Sequence, residues 1–305
     1  MARAAFRAAP MRIRVPATSA NLGPGFDALG LALSMYDDLV FRVSETGLVV
    51  DIAGEGSDDL RRDRRNLVVK SAYAAFDVLG GKPRGLEVVC ANRIPQGRGL
   101  GSSAAAVVGG ILGARALVVG GSERLADEAV LRLAAEIEGH PDNVAACLFG
   151  GLTLAWTDLK GARAISLAVS DDVQPVAFVP STRSSTSKAR KMLPESVPHA
   201  DAVANVGRTA LLVEAMARHT ELLIDATEDR LHQGYRASAM PRTAKLIDKL
   251  RAAGFPAVVS GAGPTVLALT TGEQAEAAAR LSGAAFVPHE LSVDRDGARN
   301  LPLEG

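Results

Sequence analysis

Hydrophobic and polar residues alternate in several short segments of the N-terminal half of the chain. MRIRVPATSA (residues 11–20) alternates and then stops at Pro16, and three further extended runs are DDLVFRV (37–43), GLVVDIA (47–53) and GLEVVCANRI (85–94). Alternation and β-rich composition are typical of strands. The pattern therefore predicts a strand in each of these segments.

Other segments of the same half have the spacing of helices. NLVVKSAYAAFDVLGG (66–81) stops at a double glycine, and SERLADEAVLRLAAEIEG (122–139) is amphipathic and opens on Ser122, a good N-cap. Between them, residues 103–119 are apolar on all sides, which is typical of a buried helix. The pattern predicts three helices, of which the middle one is enclosed.

The pattern changes near residue 160. Strands are predicted near 165–169 and 174–180, helices at about 202–218, 220–230 and 241–253, and two strand-like pieces within 255–270, before a last helix and strand. Because strands and helices do not alternate steadily, we predict an α+β fold. We expect an N-terminal domain at 11–160, a C-terminal domain at 161–305, and a disordered extension, or the product of an alternative start site, at 1–10.

The composition limits the class of function. Of the 305 residues 48% are hydrophobic and 22% charged, and the formal net charge is +0. These values predict a globular chain without the electrostatic footprint of a nucleic-acid-binding protein, and no apolar run is long enough to cross a membrane. Cys90 and Cys147 stand in apolar surroundings, which favours buried thiols over a disulfide. We therefore expect a cytoplasmic protein with neither nucleic acid nor membrane as a partner.

A glycine-rich segment, RIPQGRGLGSSAAAVVGGIL (93–112), joins a predicted strand to the predicted buried helix. Its glycines let backbone N–H groups approach an anion without a Cβ in the way, and a helix N-terminus adds about half a positive charge. The lysine of a Walker loop is missing, which excludes that loop but not phosphate binding. The segment is therefore a candidate phosphate-binding loop.

Two other interpretations of this segment stay open. Gly99 to Ala104 satisfies the G-x-G-x-x-G/A dinucleotide fingerprint, but IPQGR separates it from the strand, and Glu123 starts a helix where an acid should end a second strand. The other interpretation is a plain glycine-rich turn before a core helix. Phosphate binding is favoured because two more glycine-rich segments occur, NLGPGFDALG (21–30), which predicts a loop, and SGAGPTVLAL (260–269).

Polar residues concentrate in EGHPDN (138–143), which holds two carboxylates, an imidazole and an amide within six residues. A surface turn that caps a helix is the alternative explanation, since Asp and Asn are good turn formers. The basic stretch at 181–201 and Arg236 each fit a solvated face when taken alone.

Together these motifs resemble a known family. PATSANLGPGFD, PxxxGLGSSAA, EGHPDNVA and SGAGPT, in this order from about Met11 to Thr270, resemble the small-metabolite kinases named for galactokinase, homoserine kinase, mevalonate kinase and phosphomevalonate kinase. Within that superfamily, the first and third motifs are similar to those of homoserine kinases, and the G-E-H motif of galactokinases and mevalonate kinases is absent. The resemblance implies transfer of the γ-phosphoryl group of ATP to the hydroxyl of L-homoserine, in threonine biosynthesis.

The same resemblance implies a fold and a nucleotide site. The N-terminal domain is expected to be like the second domain of ribosomal protein S5 and the C-terminal domain ferredoxin-like, with ATP between them and a homodimer left open. The residues implied for ATP are Pro95, Gly97, Arg98, Gly99, Leu100, Gly101, Ser102, Ser103, Ala104 and Ala105. Mg²⁺ is assigned to Ser102 and Glu138, with Glu136 as the alternative.

A site for the zwitterionic substrate is implied as well. Its carboxylate calls for arginine forks, and its ammonium and hydroxyl call for hydrogen-bond acceptors. The residues implied are Asn21, Asp27, His140, Asp142, Asn143, Thr186, Arg190, Arg236, Gly261 and Gly263. Which acceptor meets which substrate atom stays open.

The catalytic residues implied are Asn143, Glu138 and Ser102. Mevalonate kinase-like members have an aspartate near the substrate hydroxyl, where this sequence has Asn143, and an amide cannot take a proton. We therefore predict that no dedicated base operates and that the γ-phosphate accepts the proton. The alternatives are a related kinase for a polyol or isoprenoid alcohol, and a nucleotide-binding regulator without catalysis.

Overall fold

The computed structural model describes residues 4–184 and 186–302. The strands are β1 (Met11–Asn21), β2 (Gly25–Ser44), β3 (Gly47–Gly54), β4 (Gly85–Asn92), β5 (Leu152–Asp158), β6 (Gly161–Leu167), β7 (Val173–Pro180), β8 (Ala257–Val259), β9 (Val266–Thr271), β10 (Phe286–Glu290) and β11 (Arg299–Leu301). The helices are α1 (Leu67–Leu79), α2 (Ser102–Leu117), α3 (Gly121–Arg124), α4 (Asp127–Glu138), α5 (Asp142–Phe149), α6 (Thr186–Arg190), α7 (His199–Ala217), α8 (Leu223–Ala226), α9 (Gln233–Arg236), α10 (Pro241–Ala252) and α11 (Gln274–Ala279).

The larger sheet has the strand order β11-β1-β2-β4-β3, with β5 paired to β2 and β6 paired to β5. β2 is long enough to serve two partners, because residues 29–31 pair with β5 and residues 38–44 pair with β4. Helix α2 packs against β1, β2, α1, α4 and α5, and buried residues occur on all its sides, which confirms the enclosed helix that the sequence predicted. This packing holds the start of α2 firmly beside the end of β1.

The smaller sheet has the antiparallel order β10-β7-β9-β8. Helix α10 comes before β8 and packs against it, and α11 lies between β9 and β10 and packs against both. This β-α-β-β-α-β arrangement is ferredoxin-like, which confirms the α+β class and the predicted character of the C-terminal domain. A separate core of side chains that includes Val176, Phe178, Leu250 and Val266 fills the space between this sheet and its helices.

The domain boundary differs from the expected position near residue 160. Asp158 and Gly161 are the facing ends of a β5–β6 hairpin, and the Asp158 carboxylate accepts the backbone N–H of Lys160 at 2.7 Å. β6 therefore still belongs to the larger sheet, and β11 returns to that sheet near the C-terminus. The residues of the β5–β6 turn are similar to those of a linker, which explains why the sequence placed the domain boundary before β6.

The N-terminal segment also differs from the disordered extension that was expected. Phe6 forms an isolated bridge with Val118, and its ring contacts that of Phe76 with centroids 5.7 Å apart. The backbone N–H of Arg7 donates to Leu117 at 2.8 Å. Among the described residues of this segment, partial burial of the Phe6 side chain and backbone hydrogen bonds to the end of α2 supply the order that composition did not predict.

Candidate active site

The predicted phosphate-binding loop lies between β4 and α2 and approaches other backbone very closely. Gly99 and Gly101 have φ values of 82° and 69°, in the left-handed region. A Cβ at Gly101 would lie 1.9 Å from Oγ1 of Thr18, and one at Gly99 would lie 2.3 Å from the carbonyl oxygen of Ser260. Only glycine satisfies both demands, so the loop can present its N–H groups at the N-terminus of α2.

A buried carboxylate anchors the start of this loop. Oδ1 of Asp37 accepts the backbone N–H groups of Arg93 at 2.6 Å and Ile94 at 2.9 Å. Burial raises the pKa of Asp37 to about 6, and the two hydrogen bonds oppose that rise. No sequence motif pointed to this residue, although its position opposite the end of β4 determines where the loop begins.

The first turn of α2 faces the last residue of α4. The hydroxyl of Ser103 donates a hydrogen bond to Oε1 of Glu138. Burial raises the pKa of Glu138, while the bond from Ser103 acts against that rise. The structure thus pairs the glutamate with Ser103, although Ser102, the serine predicted for the metal, lines the same cavity. The alternative ligand Glu136 is exposed on α4 and does not line it.

The EGHPDN turn leads into α5 and orients its polar groups through Asp142. This buried carboxylate accepts the backbone N–H of Asn143 at 2.7 Å and lies 2.7 Å from Nδ1 of His140. The hydrogen bond to Asp142 is the main cause that raises the pKa of His140. The amide oxygen of Asn143 accepts the hydroxyl of Thr18 at 2.8 Å, so β1 fixes this side chain.

The segment predicted as a loop at 21–30 is mostly strand, because only a short turn separates β1 from β2. Asn21, Leu22 and Asp27 have positive φ values of 71°, 50° and 54°, which are uncommon for residues other than glycine. Asn21 donates from Nδ2 to the carbonyl of Gly261 at 2.9 Å and accepts the N–H of Asp27 at 3.0 Å. The turn is therefore held in its strained conformation by the third glycine-rich segment.

The third glycine-rich segment lies between β8 and β9 and contacts the other two. The hydroxyl of Ser260 donates to the carbonyl of Gly99 at 2.6 Å, and the N–H of Gly261 donates to Ala20 at 3.1 Å. Three glycine-rich segments that lie far apart in sequence thus meet through contacts with main-chain groups.

Two arginines from the C-terminal half complete the site. Arg190, at the end of α6, forms a bidentate ion pair with Asp27 at 2.7 and 2.9 Å. Arg236, at the end of α9, is only 2% exposed, and burial lowers its pKa. No carboxylate among residues 4–184 and 188–302 lies within ion-pair distance of Arg236. Its guanidinium instead contacts the carbonyls of Ala189 and Gly261 and the ring of His232.

Phe26 and His232 belong to the site but were not predicted from sequence. The Phe26 ring stacks on the imidazole of His232 at 5.0 Å, and the guanidinium groups of Arg236 and Arg190 lie 5.3 and 5.8 Å from the Phe26 centroid. One aromatic ring therefore supports both arginines by cation–π contact. The histidine four residues before Arg236 was the available signal, since i and i+4 side chains meet on a helical turn.

A cavity of about 80 Å³ lies among these segments. The predicted residues that line it are Asn21, Asp27, Gly97, Gly99, Gly101, Ser102, Ser103, Glu138, His140, Asp142, Asn143, Arg190, Arg236, Gly261 and Gly263. Five residues predicted for ATP do not line it: Pro95, Arg98, Leu100, Ala104 and Ala105. The side chain of Thr186 lies outside the described part of the chain.

Arg98 was predicted to bind ATP, and its hydrogen bonds explain why it does not line the cavity. Its guanidinium bonds to the carboxylate of Glu55 at 3.4 Å and to the carbonyl of Ser181 at 3.2 Å. The side chain therefore does not line this cavity, and it connects the loop to residues that follow β3 and β7. Leu100 and Ala104 are fully buried, so their contribution to the loop is packing.

A second cavity, of about 260 Å³, adjoins the loop on the side of α1 and shares Gly97, Ser102 and Ser103 with the first. Its other walls combine four polar residues with apolar side chains: Asp37, Asn66, Asn92, Gln96, Leu39, Leu60, Leu67, Val68, Ala105 and Ala106. The two cavities thus meet at the N-terminus of α2.

Comparison with known proteins decides the family. The models of the GHMP kinases N terminal domain and the GHMP kinases C terminal match residues 66–151 and 201–286. A homoserine kinase of Streptomyces avermitilis is 61% identical over 303 residues and covers 99% of both chains. The chain belongs to the homoserine kinase family of the GHMP kinases.

Further relatives agree with this family membership. A homoserine kinase of Streptomyces coelicolor is also 61% identical over 303 residues, which span 99% of this chain and 98% of its own. The crystal structure of homoserine kinase from Cytophaga hutchinsonii is 25% identical and aligns with a TM-score of 0.84 over 99% of this chain and 100% of that one. Among the described residues of this family member, no helix is long and apolar enough to cross a membrane.

Proposed function

We propose that this protein is an ATP-dependent homoserine kinase, which converts L-homoserine to O-phospho-L-homoserine. The observation that carries the proposal is Arg236, a buried guanidinium that lines the same cavity as the phosphate loop. A buried cation without an anionic partner is costly, so a carboxylate supplied by a ligand is the natural complement. An amino acid with a hydroxyl group provides that carboxylate and the phosphoryl acceptor in one molecule.

The phosphates of ATP are assigned to the loop and the first turn of α2. Backbone N–H groups at residues 97–103 and the helix dipole attract them without a lysine. We assign the base of ATP to the 260 Å³ cavity, because it adjoins the loop and combines apolar walls with the amide of Asn66. That asparagine also caps α1 by accepting the N–H of Val68 at 2.9 Å, which fixes its position.

Mg²⁺ fits the donors that face this cavity. Ser102 supplies a hydroxyl and Glu138 a carboxylate whose pKa is raised chiefly by burial. Oxygen ligands of this kind suit Mg²⁺, which usually keeps several waters and binds phosphate oxygens as well. When bound, the ion would neutralise part of the phosphate charge. Ser103 would hold Glu138 in place through the hydrogen bond already present.

The arginine side of the cavity is assigned to the amino acid. Arg236 and Arg190 would bind the carboxylate, and Asp27 lies beside them as an acceptor for the ammonium. Asn143, fixed by Thr18, would orient the hydroxyl. The hydroxyl oxygen bonds to the γ-phosphorus while the bond from that phosphorus to the bridging oxygen breaks, and ADP leaves.

Of the described residues, Asn143 and His140 are the two considered as acceptors of the hydroxyl proton, and neither is suited to that role. The amide of Asn143 cannot do so, and the bond from Asp142 favours the protonated form of His140, whose pKa is raised. The proton therefore passes to an oxygen of the transferred phosphoryl group. A profile of kcat against pH governed by an enzyme carboxylate would contradict this step.

The function is tested by ADP release with Mg²⁺ and L-homoserine, mevalonate or a sugar as the acceptor. We expect turnover with L-homoserine, and Arg236→Met should raise its KM about 100-fold with little change in the KM for ATP. Arg280→Met, at an exposed arginine after α11, is the matched control. Turnover only with a non-amino-acid alcohol indicates the related kinase, and ATP binding without turnover indicates the regulator.

The metal assignment is tested by titrating Mg²⁺ against the two serines. Ser102→Ala removes a proposed ligand and should raise the half-saturating Mg²⁺ concentration about ten-fold, with a smaller effect on the KM for L-homoserine. Ser103→Ala removes only the bond to Glu138 and should have a smaller effect. A larger effect of Ser103→Ala would assign the ligand role to Ser103 instead.

A cytoplasmic location and self-association as a homodimer are further proposals, both supported by the family resemblance. Sedimentation velocity at several protein concentrations measures the association. A single monomeric species at all concentrations would remove the homodimer from the proposal.

A further inference from the structure

His232 lies immediately before α9 and is completely buried. Its Nε2 is 2.8 Å from the carbonyl oxygen of Gly23, in the strained turn between β1 and β2. Because a carbonyl only accepts hydrogen bonds, Nε2 carries the hydrogen. The tautomer of His232 is therefore fixed by a residue more than 200 positions earlier in the chain.

The other ring nitrogen faces Arg236. Nη1 of Arg236 lies 3.2 Å from Nδ1 of His232, and a guanidinium only donates, so Nδ1 must present a lone pair. Burial is the main cause that lowers the pKa of His232, against the opposing charge of Asp229, whose Oδ2 is 3.7 Å from Nε2. The neutral imidazole thus forms one continuous chain from the Gly23 carbonyl to the arginine.

The Phe26 ring completes the support. It stacks on the imidazole with 25° between the planes and contacts the guanidinium of Arg236 from a centroid distance of 5.3 Å. The guanidinium of Arg236 is therefore held by the face of the Phe26 ring and by Nδ1 of His232. It forms no ion pair with any carboxylate of the described residues. These contacts restrict its orientation and leave its charge for a ligand.

We propose that His232 is a positioning residue, which holds the guanidinium of Arg236 in the orientation that receives the substrate carboxylate. The proposal rests on the proposed function of Arg236. It also joins that arginine to the turn between Asn21 and Asp27, so the two sides of the amino-acid site keep a fixed distance. A purely structural role, in which His232 only holds the turn to α9, is the alternative.

Two substitutions separate these roles, because each keeps one half of the imidazole. His232→Gln places an amide near the position of Nε2 and retains the bond to Gly23, whereas His232→Asn places one near Nδ1 and retains the contact with Arg236. We expect His232→Gln to raise the KM for L-homoserine about ten-fold, the loss of one hydrogen bond to a charged group, with the melting temperature nearly unchanged. We expect His232→Asn to lower the melting temperature while the KM stays within about three-fold.

Controls make each result decisive. Leu250→Ala, in the separate core of the smaller sheet, reports how far lost stability alone changes the KM values. A KM for L-homoserine that follows the melting temperature in both histidine variants, or that changes in neither, overturns the positioning role. If wild type does not use L-homoserine, or Arg236→Met leaves its KM unchanged, the proposed function of the site fails instead.

A double-mutant cycle provides an independent readout. If His232 acts through Arg236, His232→Gln should have no further effect on the KM for L-homoserine in the Arg236→Met background. Effects that multiply in the double variant would show that the two residues act separately, and would also overturn the proposal.

Discussion

The two sides of the cavity are built from different chemistry. On the side of the cavity proposed for phosphate, the assigned ligand groups are backbone N–H donors at the start of α2, and the side chain of Arg98 points to Glu55 and Ser181. On the side proposed for the amino acid, the assigned groups are the side chains of Arg190 and Arg236, which stand on short helices of five and four residues. Backbone donors act only if the ligand can approach the main chain closely, whereas side-chain donors act only if neighbouring residues hold them in position.

This difference determines which kind of substitution impairs each side of the cavity. A backbone N–H is removed only by substitution with proline, but the Cβ of any other residue at a glycine can displace it. A guanidinium can be removed without disturbing the chain, and removal of a buried cation can even stabilise the fold. Steric substitutions should therefore damage the phosphate side most, and charge-removing ones the amino-acid side.

The largest effect is expected for Gly101→Ala, because its Cβ would lie 1.9 Å from Oγ1 of Thr18. The matched control is Gly151→Ala, since Gly151 has a similar φ of 63° but no atom within 4 Å of a Cβ. Both variants carry the conformational cost of about 1 kcal/mol. Gly101→Ala should lower kcat/KM for ATP about 1000-fold, which corresponds to about 4 kcal/mol. Equal losses in the two variants would refute the steric explanation.

The next effect concerns the anchor of the loop, Asp37→Asn, measured by denaturant unfolding between pH 4 and pH 8. The pKa of Asp37 is raised from 3.8 to about 6 in the folded protein, so ionisation lowers the stability of the wild type as pH rises through this range. The asparagine lacks that loss and keeps an oxygen for both N–H groups. Relative to wild type, its free energy of unfolding should therefore increase by up to about 3 kcal/mol from pH 4 to pH 7.

Asp51→Asn, at an exposed carboxylate of β3, is the control for the loss of a charge. A stability difference between Asp37→Asn and wild type that does not change with pH would show that Asp37 ionises as easily in the folded chain as in the unfolded one. Activity in the same range reports separately whether the anchor also sets the position of the loop.

The smallest effect is expected for Arg190→Met. The side chain of Arg190 is 46% exposed and already paired with Asp27, so water and the carboxylate weaken its pull on a ligand. The KM for L-homoserine should rise about ten-fold, compared with about 100-fold for Arg236→Met. A larger effect for Arg190 than for Arg236 would reverse the ranking of the two arginines and weaken the argument from burial.

Much of the phosphate side could be predicted from sequence because its information is local. Strand, glycines, serines and helix follow one another within residues 85–117, so periodicity and residue type are sufficient. The pairing of Glu138 with Ser103 instead of Ser102 was beyond such reasoning. It depends on the rotation of α2 about its axis, which is set by packing against α1, α4 and the sheet.

Predictions were weaker wherever a segment is defined by its partner. The β5–β6 turn has the residues of a linker, and only the pairing of β6 with β5 shows that the larger sheet continues past it. Likewise, the glycines of residues 21–30 indicate a loop, yet β2 begins at Gly25, because β1 pairs with it there and β5 pairs with residues 29–31. Local propensity cannot report such pairings.

The sequence by itself determined the family, the α+β class and the three glycine-rich segments, because each is written in contiguous residues whose chemistry is local. Only the tertiary structure decided that Arg98 turns away from the cavity, that Asp37 anchors the loop, and that Arg236 is buried against Phe26 and His232. Each of these depends on the desolvation or contact of side chains that lie far apart in the chain. The burial of a side chain and its distance from distant residues exist only in the folded chain, so they cannot be inferred from residue type and spacing.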